Sequence, residues 1–137
     1  MSRRSEAAKK WKPYRSKFEY DIAQYLKKKR KKFEYETKTI RYTKPATKHS
    51  YRPDFILPNG IIIEAKGRFS ASDRKKHVLI KQQYPNLDIR FVFQRAANTL
   101  TRGANSATYG EWATQHGFLW ADVEIPVAWL KEKKRAK

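Results

Sequence analysis

Residues 54–66 read Asp-Phe-Ile-Leu-Pro-Asn-Gly-Ile-Ile-Ile-Glu-Ala-Lys. Two apolar runs flank Pro58-Asn59-Gly60, the pattern of a β-hairpin closed by a three-residue loop. Pro58 suits the first position of a type I turn, Asn59 the second, and Gly60 the left-handed residue that follows. That loop pairs Leu57 with Ile61, Ile56 with Ile62, Phe55 with Ile63, and therefore Asp54 with Glu64. Opposed side chains lie on one face, roughly 5 Å apart at Cβ. Lys66, two residues past Glu64, shares that face. Phe55, Leu57, Ile61, Ile63 and Ala65 take the other face and can pack as core. A two-residue turn at Asn59-Gly60 would shift the register by one and put Asp54 on the opposite face from Glu64.

In the three-residue register two carboxylates and an ammonium stand side by side. Adjacent carboxylates repel, and one takes a proton unless a cation joins them. A hard divalent ion with oxygen ligands, Mg²⁺ or Mn²⁺, is the natural occupant. The bland alternative is a surface hairpin with an Asp–Lys or Glu–Lys ion pair.

Charge points to the partner. Lys and Arg number 32 against 13 Asp and Glu, a net charge of +19. Six of the excess positive charges fall in residues 1–17, six in the unbroken run Lys27–Lys32 and four in residues 131–137. Such arms and stripes are the footprint of a polyanion, whose counterion release supplies affinity. The alternative is a solubilising surface. Apolar residues at 39% and aromatics at 14% indicate a folded core rather than a disordered tail. On a protein that binds phosphodiesters, a divalent-ion site suggests metal-assisted phosphodiester hydrolysis.

Other classes are excluded. The absence of cysteine removes disulfides, thiolate zinc sites and cysteine nucleophiles. His49, His77 and His116 fit no zinc spacing. There is no Gly-Lys-Ser/Thr loop and no Gly-x-Gly-x-x-Gly, so no nucleotide cofactor is expected. No apolar run approaches the ~18 residues of a membrane span. No apolar segment follows the basic N-terminus, so no signal peptide is expected.

The chain reads as a flexible basic arm (1–15), one domain (16–130) and a basic tail (131–137). A helix is predicted from about Ser16 to Arg30. Ser16 and Glu19 have capping-box spacing, and Phe18, Ile22, Tyr25 and Leu26 form an apolar stripe. A strand follows over 33–42, then a connector over 43–50 containing Pro45, then the hairpin strands 51–57 and 61–66. Ser70 or Ser72 caps a second helix running to about Gln83. A strand over 88–93, a polar loop over 94–107, a short helix capped at Thr108 and a packing element over 118–130 complete the chain. The order helix, three strands, helix, strand is an α/β arrangement, a sheet flanked by helices.

Some residues keep two readings. Glu19 borders the apolar stripe, either as a helix cap or as a carboxylate reaching the sheet edge. Asp21, Glu34 and Glu36 read as solvated charges. Arg74, Lys75, Lys76 and Lys81 form either an exposed helix face or phosphate contacts beside the Glu64/Lys66 strand. Arg15 and Lys17, where arm meets helix, are further candidates for DNA contact. Lys27–Lys32 reads as a helix end facing DNA phosphates, with a nuclear-import-like cluster as alternative. Trp11, Trp112, Trp120 and Trp129 read as core or interface.

Pro53-Asp54 followed by Glu64-x-Lys66 resembles the PD-(D/E)xK nuclease superfamily, whose core has the same element order. The chain is similar, more closely, to the endonuclease I family of T-seven-like bacteriophages, which resolve Holliday junctions. The resemblance is carried by Tyr14-Arg15-Ser16 with Glu19, Lys32-Phe33-Glu34-Tyr35-Glu36, Pro53-Asp54-Phe55 with Leu57-Pro58-Asn59-Gly60, Glu64-x-Lys66-Gly67, Asp73-Arg74-Lys75-Lys76-His77, and Tyr109-Gly110-Glu111 with His116-Gly117. It implies a restriction-endonuclease-like mixed sheet in an intertwined homodimer. The 43–50 connector would cross between subunits, so that one subunit's helix carboxylate meets the other's hairpin. It implies Glu19, Asp54, Glu64 and Lys66 as catalytic residues. Asp54, Glu64, the Ala65 backbone carbonyl and Glu19 would bind Mg²⁺, with Mn²⁺ substituting. Lys66 would orient water or stabilise developing charge. The expected function is a structure-selective endodeoxyribonuclease that cuts four-way and other branched DNA by paired nicks, in the cytoplasm of an infected bacterium. The alternatives are a nuclease of the same core cutting linear duplex, and a non-catalytic basic nucleic-acid-binding protein.

Overall fold

A computed structural model of the chain describes residues 11–44 and 47–134. Residues 1–10 of the expected arm, Pro45 of the expected connector and residues 135–137 of the expected tail lie outside the described residues.

Ser16 opens helix α1 (Lys17–Lys28), its hydroxyl accepting the Glu19 amide at 3.1 Å. Ile22 and Leu26 of the apolar stripe are buried, with Ala23 beside them. The helix closes where Arg30 turns left-handed at φ 56, and Lys31 N–H donates to the Leu26 carbonyl at 3.0 Å. Lys27 and Lys28 in the last turn suit the negative end of the helix dipole.

The stretch 33–42, expected as one strand, is two. Strand β1 (Glu34–Tyr35) ends at Glu36, whose φ of 51 breaks the extended path. Strand β2 (Ile40–Lys44) then pairs antiparallel with β3 (Thr47–Tyr51), setting Ile40 opposite Tyr51 and Tyr42 opposite His49. Residues 43–50 thus belong to a two-stranded ribbon on either side of 45–46, rather than to a simple connector. A second break falls at Arg52-Pro53, because proline has no amide to give a ladder. The stretch 51–57 therefore joins the main sheet only as β4 (Phe55–Ile56).

The hairpin register is the one predicted for a three-residue loop. Phe55 faces Ile63 and Ile56 faces Ile62 across β4 and β5 (Ile62–Lys66). Gly60 has φ 90, a conformation costly for any other residue. Leu57 N–H donates to Ile61 O at 2.9 Å, and Gly60 N–H to Leu57 O at 2.9 Å. The shifted register is excluded.

Helix α2 (Ala71–Gln83) starts in a capping box between Ser70 and Asp73, so Ser70 rather than Ser72 is the cap. It carries the chain back to β6 (Ile89–Phe93), which lies parallel to β5. The Gln83 side-chain amide bonds both the N–H and the carbonyl of Thr43 and ties the β2–β3 ribbon to α2. Helix α3 (Tyr109–Gln115) starts in the Thr108–Glu111 box, β7 (Trp120–Asp122) pairs parallel to β6, and α4 (Val127–Lys131) follows. The main sheet is mixed, in the order β1-β4-β5-β6-β7. One face packs Ile62, Phe91 and Phe93 against Phe69, Ile80, Trp112 and Phe118. The other packs Phe55, Leu57, Ile61, Ile63 and Val92 against Ile22, Leu26, Ile125 and Leu130. The chain is therefore an α/β domain with helices on both faces of a mixed sheet. No helix among the described residues is long and apolar enough to cross a membrane.

Candidate active site

The sheet end opposite the Pro58–Gly60 turn carries a cleft of about 380 Å³ whose walls include Arg15, Glu19, Glu36, Arg52, Asp54, Glu64, Ala65, Lys66 and Lys76. Four parts of the chain supply these side chains: α1 brings Glu19, the end of β1 brings Glu36, the hairpin brings Asp54, Glu64 and Lys66, and α2 brings Lys76.

Asp54 and Glu64 are braced across the hairpin. Asp54 N–H donates to Glu64 Oε2 at 2.9 Å, and Ala65 N–H donates to Asp54 Oδ2 at 2.9 Å. Lys66 Nζ lies 3.6 Å from Glu64 Oε1 and 3.9 Å from Asp73 Oδ1. The predicted trio of hairpin residues thus meets at one place.

Glu19 joins them. Ser16 caps α1, but the Glu19 carboxylate is not confined to the cap, because its Oε1 accepts the Tyr35 hydroxyl. Glu19, Glu36 and Asp54 each bring a carboxylate oxygen within 4.8 Å of the others. Glu36 corrects the expectation of a solvated charge. Its left-handed backbone turns the side chain inward, to Arg15 Nε at 3.2 Å and Arg52 Nη1 at 3.9 Å. Two more residues were missed. Tyr51 donates its hydroxyl to Glu64 Oε2 at 2.8 Å, and His77 Nε2 stands 3.6 Å from Glu64 Oε1.

The electrostatics split the two hairpin acids. Burial, with Glu64 and Glu19 close by, pushes the Asp54 carboxyl well above the usual carboxylate range, against the pull of Lys66 and the Ala65 amide. Burial also opposes ionisation of Glu64, but His77, Lys66 and the Asp54 amide outweigh it and hold that carboxyl low. Burial and Glu36 raise Glu19 despite the Tyr35 hydroxyl and Arg15. Burial works against the Lys66 ammonium, yet Glu64, Asp73 and Asp54 hold its pKa above the ordinary value. Like charges in a poorly solvated cleft, all on oxygen donors, fit a small hard divalent cation.

The expected DNA contacts divide. Arg15 and Lys76 line the cleft. Lys17 is exposed and paired with Asp21 at 2.9 Å, and Lys75 is exposed on α2. Arg74 Nη1 donates to the Phe69 carbonyl at 2.7 Å, and Lys81 Nζ to the Gly117 carbonyl at 3.1 Å, so both have packing work. Trp112 is buried, as expected, whereas Trp120 is 37% exposed.

The family model described as phage endonuclease I matches residues 1–137. Endodeoxyribonuclease 1 of Enterobacteria phage T3 is 48% identical over 122 residues, covering 89% of this chain and 80% of that protein. Endonuclease I of Escherichia phage T7 is 46% identical over 122 residues, covering 89% of this chain and 81% of that protein. The identity spreads over most of the domain rather than resting on the hairpin motif alone, and the chain belongs to the phage endonuclease I family.

Proposed function

We propose that this chain is a divalent-metal-dependent endodeoxyribonuclease of the PD-(D/E)xK kind that cuts four-way and other branched DNA by paired phosphodiester hydrolysis. The observation that carries the proposal is the cleft in which Asp54, Glu64 and Lys66 meet Glu19 on a strongly basic chain. The T3 relative's name, endodeoxyribonuclease, supports DNA as the substrate.

Asp54, Glu64, Glu19 and the Ala65 carbonyl are the proposed holders of Mg²⁺ or Mn²⁺, with Glu36 close enough to add a carboxylate. Once bound, such an ion polarises the scissile phosphate and makes a hydrolytic nucleophile available near neutral pH. Lys66 keeps its proton because acids surround it. Its ammonium, 3.6 Å from Glu64 Oε1, is placed to donate to an oxygen that gains negative charge or to orient water. Arg15, Arg52 and Lys76 at the cleft, with Lys17 and Lys75 nearby, contact phosphates. Phosphate contacts position a duplex without reading bases, so selectivity comes from junction shape. The site of action is the cytoplasm of the infected host.

Paired cuts need two sites, and we place them in an intertwined homodimer. In this single chain Glu19 and Asp54 already meet. An exchange in which the chain through β2 packs on the partner's chain from β3 onward preserves those contacts, as in a domain swap. Glu19→Gln chains co-refolded with Asp54→Asn chains test this. The exchanged dimer assembles one intact site and one doubly altered site, so the mixture regains single-strand nicking of a junction. Without exchange every site carries a substitution, and the mixture stays inactive.

The activity itself is tested in Mg²⁺ with an end-labelled four-way junction, a linear duplex of matching arm sequence, and Glu64→Ala alongside. The expected result is symmetric cutting of the junction, sparing of the duplex, and a mutant that binds without cutting. Equal cutting of both substrates removes the junction preference. Absence of cutting, with equal binding by both proteins, leaves a non-catalytic DNA-binding protein.

A further inference from the structure

Glu64 is gripped from behind. The residue is 2% exposed, and its Oε2 accepts from the Tyr51 hydroxyl at 2.8 Å and the Asp54 amide at 2.9 Å. A carboxylate oxygen has about two acceptor sites, so the protein saturates Oε2. Oε1 is the oxygen left, with Lys66 Nζ and His77 Nε2 each 3.6 Å away.

His77 is 0% exposed, and neither of its ring nitrogens lies within hydrogen-bond distance of a partner; Nε2 meets Glu64 only through the longer, ionic approach of 3.6 Å that helps to hold that carboxyl low. A buried polar ring without a partner is destabilising and calls for a reason. Packing alone does not supply one. The ring stands edge-on to Phe91 at 4.9 Å and to Tyr51 at 5.3 Å between centroids, where an apolar ring would pack without the polar cost. The same holds for the Tyr51 hydroxyl, since phenylalanine would fill that space.

We infer that Tyr51 and His77 are positioning residues for Glu64. The Tyr51 hydroxyl ties Oε2 to the protein and presents Oε1 to the cleft, and His77 fills the space behind Oε1 so that the carboxylate cannot rotate inward. The inference rests on the metal-dependent reading above. Partners behind a metal ligand orient it and tune its basicity.

The test is Mn²⁺ binding by the full chain without DNA, followed by calorimetry and by the spin-resonance signal of free Mn²⁺. Wild type, Tyr51→Phe, His77→Gln and Glu64→Ala are compared. Loss of such a partner costs about 10–100-fold in metal affinity, so Tyr51→Phe is expected to raise the Mn²⁺ dissociation constant at least tenfold. His77→Gln shifts it in the same direction. Junction affinity in EDTA and the far-UV spectrum stay as in wild type, and saturating Mn²⁺ restores most of the cleavage rate of Tyr51→Phe, which a fold defect would not allow. Wild-type Mn²⁺ affinity in Tyr51→Phe overturns the inference and leaves the metal reading standing. Equal Mn²⁺ binding by wild type and Glu64→Ala overturns the metal reading, and the inference with it. Should His77→Gln fail to fold, Tyr51→Phe decides alone, because it removes a single oxygen.

Discussion

Asp54→Asn is expected to lower DNA cleavage by about a thousandfold or more and to raise the melting temperature of the metal-free protein. The two effects share one cause. Metal ions supply several kcal/mol of charge stabilisation to such reactions, and roughly each 1.4 kcal/mol is tenfold in rate. On the metal-dependent function proposed above, Asp54→Asn forfeits that contribution. Without a metal, the same carboxylate is a burden, because it is half-buried beside Glu64 and Glu19. The sign with pH follows. A carboxyl whose folded pKa lies above its unfolded value, ~3.9, binds more protons in the folded state. Its contribution therefore falls as pH rises from the unfolded value through the folded one. Below that window aspartic acid and asparagine are nearly equivalent. The melting-temperature gain of Asp54→Asn should be small near pH 4 and grow toward neutrality. Relief worth about 1 kcal/mol corresponds to roughly 3–5 °C in a domain of this size. On the same proposal, adding Mg²⁺ is expected to reverse the order, since a ligand that binds only the folded wild type stabilises it by mass action. Thermal melts at several pH values, with Mg²⁺ and with EDTA, read all of this. A gain independent of pH would show that Asp54 is not held above its ordinary range.

That coupling also shows what the sequence could and could not reveal. The hairpin register was legible because two local signals agree, the apolar alternation and the Pro58-Asn59-Gly60 loop. Together they determine which face Asp54, Glu64 and Lys66 share. Glu19 was half legible. Helical spacing puts it at the border of the buried stripe, but only packing of α1 against β1 brings Tyr35 to its carboxylate. Glu36 was illegible under a period-two reading, because a single left-handed residue reverses which way the side chain points. The strand between 33 and 42 was misjudged at the same place for the same reason. Tyr51 and His77 carry no local mark at all. They reach Glu64 because α2 crosses the sheet and because β3 ends where Arg52-Pro53 breaks the strand. Their contacts are products of tertiary packing. The run Lys27–Lys32, by contrast, declared its exposure, since so many adjacent charges have no buried solution.

The largest effect on stability is expected from Arg90, a residue that no sequence signal singled out. It lies within β6, every residue of which is buried, and is itself 1% exposed. Nε donates to Asp88 Oδ1 at 2.9 Å, and Nη2 to Asp88 Oδ2 at 2.8 Å and Glu132 Oε1 at 2.9 Å. Its guanidinium sits 5.2 Å from the centre of the Trp129 ring. Asn59, in the hairpin turn, adds its side-chain amide to the carbonyls of Trp129 at 2.9 Å and Glu132 at 3.0 Å. Arg90 and Asn59 thus clamp α4 onto the sheet, where its Leu130 packs in one cluster with Leu57 and Ile61. Arg90→Ala removes the shared cation of two carboxylates and the stacking partner of Trp129. Asp88 keeps 18% and Glu132 39% of its side-chain surface exposed, so solvent screens part of the loss, which comes to about 1.5–3 kcal/mol, or roughly 5–12 °C of melting temperature here. Arg90→Lys should recover only part, because a point ammonium cannot serve both carboxylates in the plane of the guanidinium fork. Arg90 lies at the turn end of the hairpin and the cleft lies at the other. Cleavage well below the melting temperature should therefore persist in Arg90→Ala, with activity lost only as the protein unfolds. Calorimetric melts of the three proteins, with junction cleavage measured across the same temperatures, test both halves of the argument. An Arg90→Ala protein that melts within about 2 °C of wild type would falsify the clamp, since a loss below ~1 kcal/mol is the range of exposed ion pairs. A folded mutant that has lost cleavage at low temperature would instead show that the clamp at the turn sets the geometry of Asp54 and Glu64.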